Sequence, residues 1–346
     1  VMALDVTVVV PTFNRSRDLP ATLAALAAQT RRPRAVTVID NSSTDDTREV
    51  IGGWVPVLAA ANIALRYRCK EPEGPAAARN LGWREAETAA VAFVDSDVSL
   101  DPGWLAACGA ALDADPGVGA VGGKVVYAHR PDLLNGYGGA LGPLGLAWDA
   151  LEGEPATAAT RPRDVLWTNC SALLVRRRAL AEIDGFDEAF FYGYEDSDLG
   201  WRLTLSGWRV RVVPEATVHH RVGSAIGRAA ETISFHAAKN RLRSVLVNWG
   251  LAGLLRYGLP AVTYGLADAV LRAPRRPKLR ALLWNLRHLP GTLARRRRVQ
   301  AGRRVDDRAI RALMDRRAFP ERRLGGLRRR PADMTSPPIL GADDRI

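Results

Sequence analysis

Two carboxylates one residue apart, Asp95 and Asp97 around Ser96, follow directly on the apolar run Val91-Ala92-Phe93-Val94. At the end of a buried strand they repel one another and lose solvation, so the pair calls for a positive charge nearby. A hard divalent cation with oxygen ligands is the common answer. The alternative is an acid pair that caps a following helix, and Asp-x-Asp alone does not choose between the two. A second cluster, Glu195, Asp196 and Asp198, lies within Tyr194-Glu195-Asp196-Ser197-Asp198-Leu199-Gly200-Trp201-Arg202. The dipole and free amides of a helix N-terminus account for two of these acids. A third, held with its oxygens toward a cleft, could take a proton from a hydroxyl. Arg202 falls one helical turn from Asp198, near enough to pair with it. The adjacent His219 and His220 point in different directions on an extended chain, so at most one can serve a single metal site, and a lone histidine at a strand end is ordinarily a surface residue.

Three further polar segments sit where turns are expected. Pro11-Thr12-Phe13-Asn14-Arg15 follows a first strand, and Asp40-Asn41-Ser42-Ser43-Thr44-Asp45-Asp46-Thr47 follows a second. Both could read a flat polar base and a ribose, or could do no more than close turns and cap helices. Gly74-Pro75-Ala76-Ala77-Ala78-Arg79-Asn80 enters a helix and carries one arginine placed to meet phosphate.

The elements that must hold these residues alternate. Strand-like Val6–Val10, helical Leu19–Gln29, strand-like Ala35–Ile39 and helical Asp45–Trp54 give a βαβα rhythm, which implies a parallel sheet with crossover helices. Val91–Val94, Val118–Val126, Ala172–Val175 and Arg209–Val213 are expected to be further strands, and Asp196–Ser206 a helix. In open sheets of this kind ligands sit at the carboxyl ends of strands, where the polar segments fall. Residues Asn135 to Asp164, rich in Gly, Ala and Pro, are expected to form a long loop over the site.

Composition adds boundaries. Of the net charge of +12, the segment 272–330 carries 21 Lys/Arg against four acids, so the rest of the chain is near neutral. Val245–Leu271 and Leu279–Leu293 suit amphipathic helices, and Arg295-Arg296-Arg297-Arg298 follows. This pattern predicts docking of a basic extension on an anionic membrane surface rather than a bilayer-spanning helix, since Arg256 and Asp268 interrupt the longest apolar stretch. The three scattered cysteines and the absence of a leader-like opening predict a cytoplasmic protein, peripheral on the inner face of the plasma membrane. No G-x-G-x-x-G follows the first strand, and there is no P-loop and no G-x-S-x-G, which argues against dinucleotide oxidoreductases, P-loop NTPases and α/β serine hydrolases. Nucleic-acid binding is not expected, because the basic segment lacks interleaved aromatics. A nucleotidyltransferase would want a glycine-rich, lysine-bearing opening loop that is missing.

Taken in order, Val10-Pro11-Thr12-Phe13-Asn14-Arg15, Ile39 to Thr47, Ala78-Arg79-Asn80, Asp95-Ser96-Asp97 and Glu195 to Leu199 resemble glycosyltransferase family 2 over residues 6 to about 243. His219-His220 before Gly223-Ser224, and Lys239-Asn240-Arg241, are similar to its rhamnosyltransferase-like bacterial members. The resemblance implies a GT-A fold: a Rossmann-like, mostly parallel sheet flanked by helices, here with a helical basic C-terminal extension. Residues 1–243 would be the catalytic domain, 244–330 the extension and 331–346 a disordered tail. The resemblance further implies an inverting, metal-dependent transfer from a nucleotide-sugar donor of the dTDP-rhamnose or UDP-hexose class to a hydroxyl of a cell-envelope or lipid-linked glycan, with a soluble metabolite as the alternative acceptor. Pro11, Thr12, Asn14, Arg15, Asp40, Ser42, Arg79, Asn80, Asp95, Ser96 and Asp97 would line the donor, with Thr12 and Asp40 at the base. Asp97 would ligate Mg²⁺ or Mn²⁺, with Asp95 nearer the ribose or a metal-bound water. His220, or alternatively His219, would complete the metal shell. Asp196 would be the base, with Asn169, Glu195 and Arg202 on the acceptor or phosphate side.

Overall fold

The computed structural model describes residues 4–221 and 230–317. Gly223-Ser224, the end of the basic extension and the expected tail 331–346 lie outside the described residues. The chain opens as β1 (Val6–Thr12), α1 (Leu19–Ala27), β2 (Ala35–Asp40), α2 (Thr47–Ala60), β3 (Ala64–Cys69), α3 (Pro75–Glu85) and β4 (Ala90–Val94). Every residue of β1, β2 and β4 is buried. Strands covered on both faces read as unbroken Val, Ile and Ala runs, which is why the sequence marks them. β3 lies at the sheet edge with alternating exposure and two arginines, so a search for apolar runs passes over it. A proline in the first turn of α1 and of α3 starts each helix where its missing N–H costs nothing.

Next come β5 (Val98–Leu100), α4 (Trp104–Ala114), β6 (Val118–Tyr127), β7 (Arg130–Tyr137), β8 (Gly139–Leu141), β9 (Ala147–Asp149), β10 (Arg163–Val165), β11 (Ala172–Arg176), α5 (Arg177–Ile183), α6 (Glu195–Leu205) and β12 (Arg209–His220). The main sheet runs β10-β12-β6-β11-β4-β1-β2-β3, with β5 on β12 and β7 on β6. β4, β1, β2 and β3 are parallel, as expected. Beyond β4 the sheet is mixed: β11 runs antiparallel between β4 and β6, and β12 returns parallel to β6. From β1 the chain first winds out to β2 and β3, then crosses to β4 on the other side. This makes a topological switch point at the carboxyl ends of β1 and β4, where a crevice opens.

The expectation of a loop over 135–164 is corrected. The end of β7, the β8–β9 hairpin, a 3₁₀ turn at Ala156–Ala158 and most of β10 fill this stretch. Its glycines serve close approach: a Cβ on Gly139 would stand 1.9 Å from the Trp167 ring. The strands pair with partners far away in sequence, so local periodicity does not reveal them.

The C-terminal helices are α7 (Ala230–Asn248), α8 (Leu251–Leu271), α9 (Arg275–Arg287), α10 (Leu289–Ala301) and α11 (Asp307–Leu313). Arg243, the expected domain boundary, lies inside α7. These helices share a core with the sheet domain: Trp249, Val245, Ala261, Ile310 and Met314 pack with Leu141, Leu166, Trp167, Trp201 and Leu205. Trp201 and Trp249 meet edge to face at 5.2 Å, a geometry worth about 0.5–1.5 kcal/mol beyond the area it buries. Trp249 also donates to the Pro143 carbonyl at 3.1 Å.

Candidate active site

At the ends of β1 and β2 the two polar turns are laced together. The backbone amide of Asn14, a residue at φ 52°, donates to Ser43 Oγ (2.9 Å), and Asn14 Oδ1 accepts from the Thr44 amide (2.8 Å). The Arg15 amide donates to Thr47 Oγ1 at 3.0 Å, and Ser42 Oγ donates to the Lys70 carbonyl at 2.7 Å. Asp40 is 1% exposed, its oxygens taken by the Ser43 amide and hydroxyl and by Tyr67 Oη at 2.9 Å. The base contact expected of Asp40 is therefore not open in this conformation, and the carboxylate organises the turn instead. Pro11 and Thr12 close β1. Thr12 Oγ1 is buried with no hydrogen-bond partner.

Across the crevice, β4 delivers Asp95 and α6 delivers Glu195, and α3 spans the gap with one side chain. Arg79, 3% exposed, donates to Asp95 Oδ1 at 2.7 Å and to Glu195 Oε1 at 3.3 Å. Burial opposes its charge, but Asp95 first, then the Cys170 and Glu195 groups, raise its proton affinity, so it stays cationic. Residues 16 and 116 positions from Arg79 thus meet on one guanidinium. Arg79 Nε, Glu195 Oε2 and Ser171 Oγ, all buried, have no hydrogen-bond partner. Orphan polar atoms gathered at strand ends are what a polar ligand would satisfy. Ser96, also buried, sits between the two acids.

The three acids of α6 separate by partner. Glu195 faces Arg79. Asp198, 1% exposed, is held by Arg202 Nε at 2.7 Å and by Asn248 Nδ2 at 2.9 Å. Asp196 keeps part of its surface open and accepts from the neighbouring Ser197 amide at 2.7 Å. Burial first, then the charges of Glu195 and Asp149, hold its carboxyl well above the usual carboxylate range. A carboxylate of raised basicity with an open face can accept a proton from a hydroxyl.

Asp149 was not expected at the site. The β8–β9 hairpin carries it over Gly136 to the side chain of Asn169, which hydrogen-bonds it and in turn accepts from the Ser171 amide at 2.7 Å. Burial and then Glu152 push its carboxyl up to about 7. No sequence pattern marks it, since the hairpin itself is hidden in a Gly-rich stretch. Its charge raises the Asp196 affinity for a proton, so Asp149→Asn should move the acid limb of the pH–rate profile to lower pH. An unmoved limb in steady-state rates across pH would separate Asp149 from the base.

At the rim, Arg15 Nη2 stands 3.7 Å from Asp97 Oδ2. A cleft of about 210 Å³ lined by Asp18, Asp97, Ser99, His219 and Arg221 opens here. A larger hollow of about 370 Å³, by Leu4, Ala89 and Arg176, lies at the opposite strand ends and holds none of the expected residues. The β12–β5 ladder sets His220 opposite Val98, next to Asp97. His220 Nδ1 bonds Asn135 Oδ1 at 3.0 Å, whereas His219 is turned to Asp101 at 2.9 Å. Among the described residues no three His, Cys, Asp or Glu side chains gather closely enough to hold a metal, so the expected Asp95, Asp97 and His220 shell is not assembled by the protein alone. The hard carboxylate oxygens at a phosphate-sized crevice still suit Mg²⁺ or Mn²⁺, which take one or two carboxylates and complete their shell from substrate phosphates and water.

Two expected site residues are structural. Asn80 is 1% exposed and fully engaged with Phe186, Glu188 and Trp83, fastening α3 to the segment ahead of α6. Arg202, also 1% exposed, pairs with Asp198 as its spacing predicts, and donates to the Ile183 and Gly185 carbonyls at 3.0 and 2.6 Å. It cannot reach an acceptor or a phosphate. Arg202→Ala should lower unfolding free energy by about 3–5 kcal/mol, because Asp198 is left buried and unpaired. Chemical denaturation would measure this. The Lys239-Asn240-Arg241 segment also fastens: Lys239 Nζ binds the Ala189 carbonyl, Asn240 Nδ2 those of Tyr192 and Gly193, and Arg241 those of Leu144 and Ala261.

Similarities to known proteins agree with this geometry. Residues 7–183 match the family described as Glycosyl transferase family 2. The N-acetylglucosaminyl-diphospho-decaprenol L-rhamnosyltransferase of Mycobacterium tuberculosis is 31% identical over 316 residues, covering 79% of this chain and 96% of that protein. Among solved structures, GalNAc-T7 with UDP, GalNAc and Mn²⁺ superposes with a TM-score of 0.60 at 16% identity over 83% of this chain and 55% of that one. The mannosyltransferase PcManGT of Pyrobaculum calidifontis, in complex with GDP-Man and Mn²⁺, gives 0.52 at 20% identity over 87% and 86%. At these identities the likeness speaks for the fold, which is the GT-A arrangement.

Proposed function

Because the chain belongs to glycosyltransferase family 2 and is a glycosyltransferase, we propose that it transfers a sugar, with inversion, from a nucleoside diphosphate to a hydroxyl of a lipid-linked glycan. The observation that carries this reading is the Arg79 bridge, which joins Asp95 at the end of β4 to Glu195 at the start of α6. Donor and acceptor chemistry need not be adjacent in sequence, but they must be adjacent here.

In this reading the β1 and β2 turns cradle the nucleoside, with Thr12 Oγ1 awaiting a partner. Asp97 and Asp95, with His220 as a further donor, would hold Mg²⁺ or Mn²⁺, and when bound the cation neutralises the departing diphosphate. Arg79 stays charged beside the same phosphates. Asp196 takes the proton of the acceptor hydroxyl as its oxygen attacks the anomeric carbon from the face opposite the leaving group. One in-line displacement inverts the configuration.

The rhamnosyl relative supports a 6-deoxyhexose such as dTDP-rhamnose as donor and a polyprenyl-diphosphate-linked N-acetylglucosamine as acceptor. An acceptor of that kind would bring the enzyme to the inner membrane surface as a peripheral protein. The test is a panel of dTDP-, UDP- and GDP-sugars with that acceptor and Mn²⁺, following nucleoside-diphosphate release, with product configuration read by NMR. Release of pyrophosphate, or a product of retained configuration, would overturn the mechanism.

A further inference from the structure

Helix α8 is built inside out. It buries Gly253, Gly258, Ala261, Gly265 and Ala269, while Leu251, Leu255 and Leu259 are 70%, 76% and 71% exposed and Val262, Leu266 and Val270 continue the stripe. Steps of three and four residues keep these six on one side of the helix. The small residues allow close packing: a Cβ on Gly265 would come within 2.7 Å of Arg241 Nη2. α9, packed beside α8, repeats the pattern by burying Pro277, Ala281 and Asn285 and exposing Leu279, Leu283 and Leu286. These nine exposed aliphatic side chains are therefore not spent on the core. A contiguous exposed aliphatic face of this size marks an interaction surface.

Its border is cationic. Arg256, Arg272, Arg275, Arg276, Arg280 and Arg287 are exposed, and the single acid of residues 251–287, Asp268, is taken by Lys278 at 2.8 Å and Arg272 at 3.5 Å. The Arg295–Arg298 run, by contrast, is not a uniform free patch. Arg295 pairs with Asp184, and Arg296 binds the carbonyls of Leu246 and Trp249.

We propose that the outward face of α8 and α9 lies in the plane of an anionic lipid bilayer, with its leucines at the acyl boundary and its arginines at the level of the lipid phosphates. No helix among the described residues is long and apolar enough to cross a membrane, so the engagement is monotopic. A second copy of the chain is the poorer occupant, because stacking two such faces would set one arginine border against another. The inference deepens the lipid-linked acceptor reading and rests on it for its purpose. Arg241 joins α8, through the Ala261 carbonyl, to the Leu144 carbonyl ahead of the Asp149 strand, and its charge acts on Tyr194 at the head of the base helix. The lipid face is thus fastened to the acceptor side.

Flotation of the full chain with vesicles of phosphatidylcholine, alone or with phosphatidylglycerol, tests this. The chain should float with the anionic vesicles and far less with the neutral ones. The triple substitution Leu255→Ser, Leu259→Ser, Leu283→Ser, on exposed positions, should cut vesicle partition at least about tenfold with unchanged near-UV circular dichroism. Arg275→Gln with Arg276→Gln should weaken binding to anionic vesicles and leave the neutral background alone, which keeps the proposal testable if the leucine variant misfolds. Equal flotation of the variants and the parent would overturn it. So would a dimer, seen by light scattering, that the leucine substitutions dissolve. The readout is independent of catalysis: nucleoside-diphosphate release with a water-soluble acceptor analogue should persist in the leucine variant, and its absence from the parent would count against the functional reading alone.

Discussion

Replacing Asp196 with Asn should lower sugar transfer by about 10²–10⁴-fold while leaving donor affinity within a small factor. The substitution keeps the shape of the side chain and an oxygen for the Ser197 amide, which now donates to Asp196 Oδ1 at 2.7 Å. What it removes is the capacity to accept a proton. The neighbouring acids make the expectation specific: Glu195 is engaged by Arg79, and Asp198 is buried against Arg202 and Asn248, so of the three α6 acids Asp196 is the one that presents an open carboxylate of raised basicity. Donor binding by calorimetry alongside single-turnover transfer would separate the two effects. If Asp196→Asn transfers normally and Glu195→Gln does not, the base has been assigned to the wrong member of the pair.

Removing divalent cations should be nearly as damaging. Chelation is expected to depress turnover by at least about 10²-fold, the scale of losing one well-placed electrostatic stabiliser of a leaving group. Added Mn²⁺ or Mg²⁺ should restore it. Asp97→Ala should show the same loss without restoration at the same cation concentration, and should remain folded, because Asp97 lies at the rim, 3.7 Å from Arg15 Nη2. Comparing donor affinity with and without Mn²⁺ in the parent and in Asp97→Ala supplies a readout apart from turnover. Full activity of the parent in excess chelator would remove the cation from the mechanism.

Some expectations failed in instructive ways. Asn80 and Arg202 sit inside the motifs that resemble the family, yet both face inward. Their partners, Phe186 and Glu188 for Asn80 and the Ile183 and Gly185 carbonyls for Arg202, come from one segment that folds between α3 and α6. A polar residue in a functional motif can serve as a fastener, and only its partner distinguishes the two roles. The helical extension is not set apart from the catalytic domain: α7 runs through the expected boundary at Arg243, and Trp249 packs against Trp201 of the base helix.

The amino-acid order alone determined β1, β2 and β4 and the polar segments at their ends, because strands buried on both faces must be continuous apolar runs and a chain leaving such a strand must turn at the sheet edge. Local chemistry also placed three acids at the start of α6. What the tertiary structure decided was which of these side chains share a pocket. Arg79 meets Asp95 and Glu195 only once α3 and α6 flank β4, and Asp149 arrives on a hairpin whose pairing no local pattern displays. The same holds for α8: its sequence offers leucines and small residues to either side, and the bulk of α7 and α9 selected the glycines for contact. Hydrophobic periodicity is written within a few residues, whereas a polar group's partner is set by whatever distant segment packs against it.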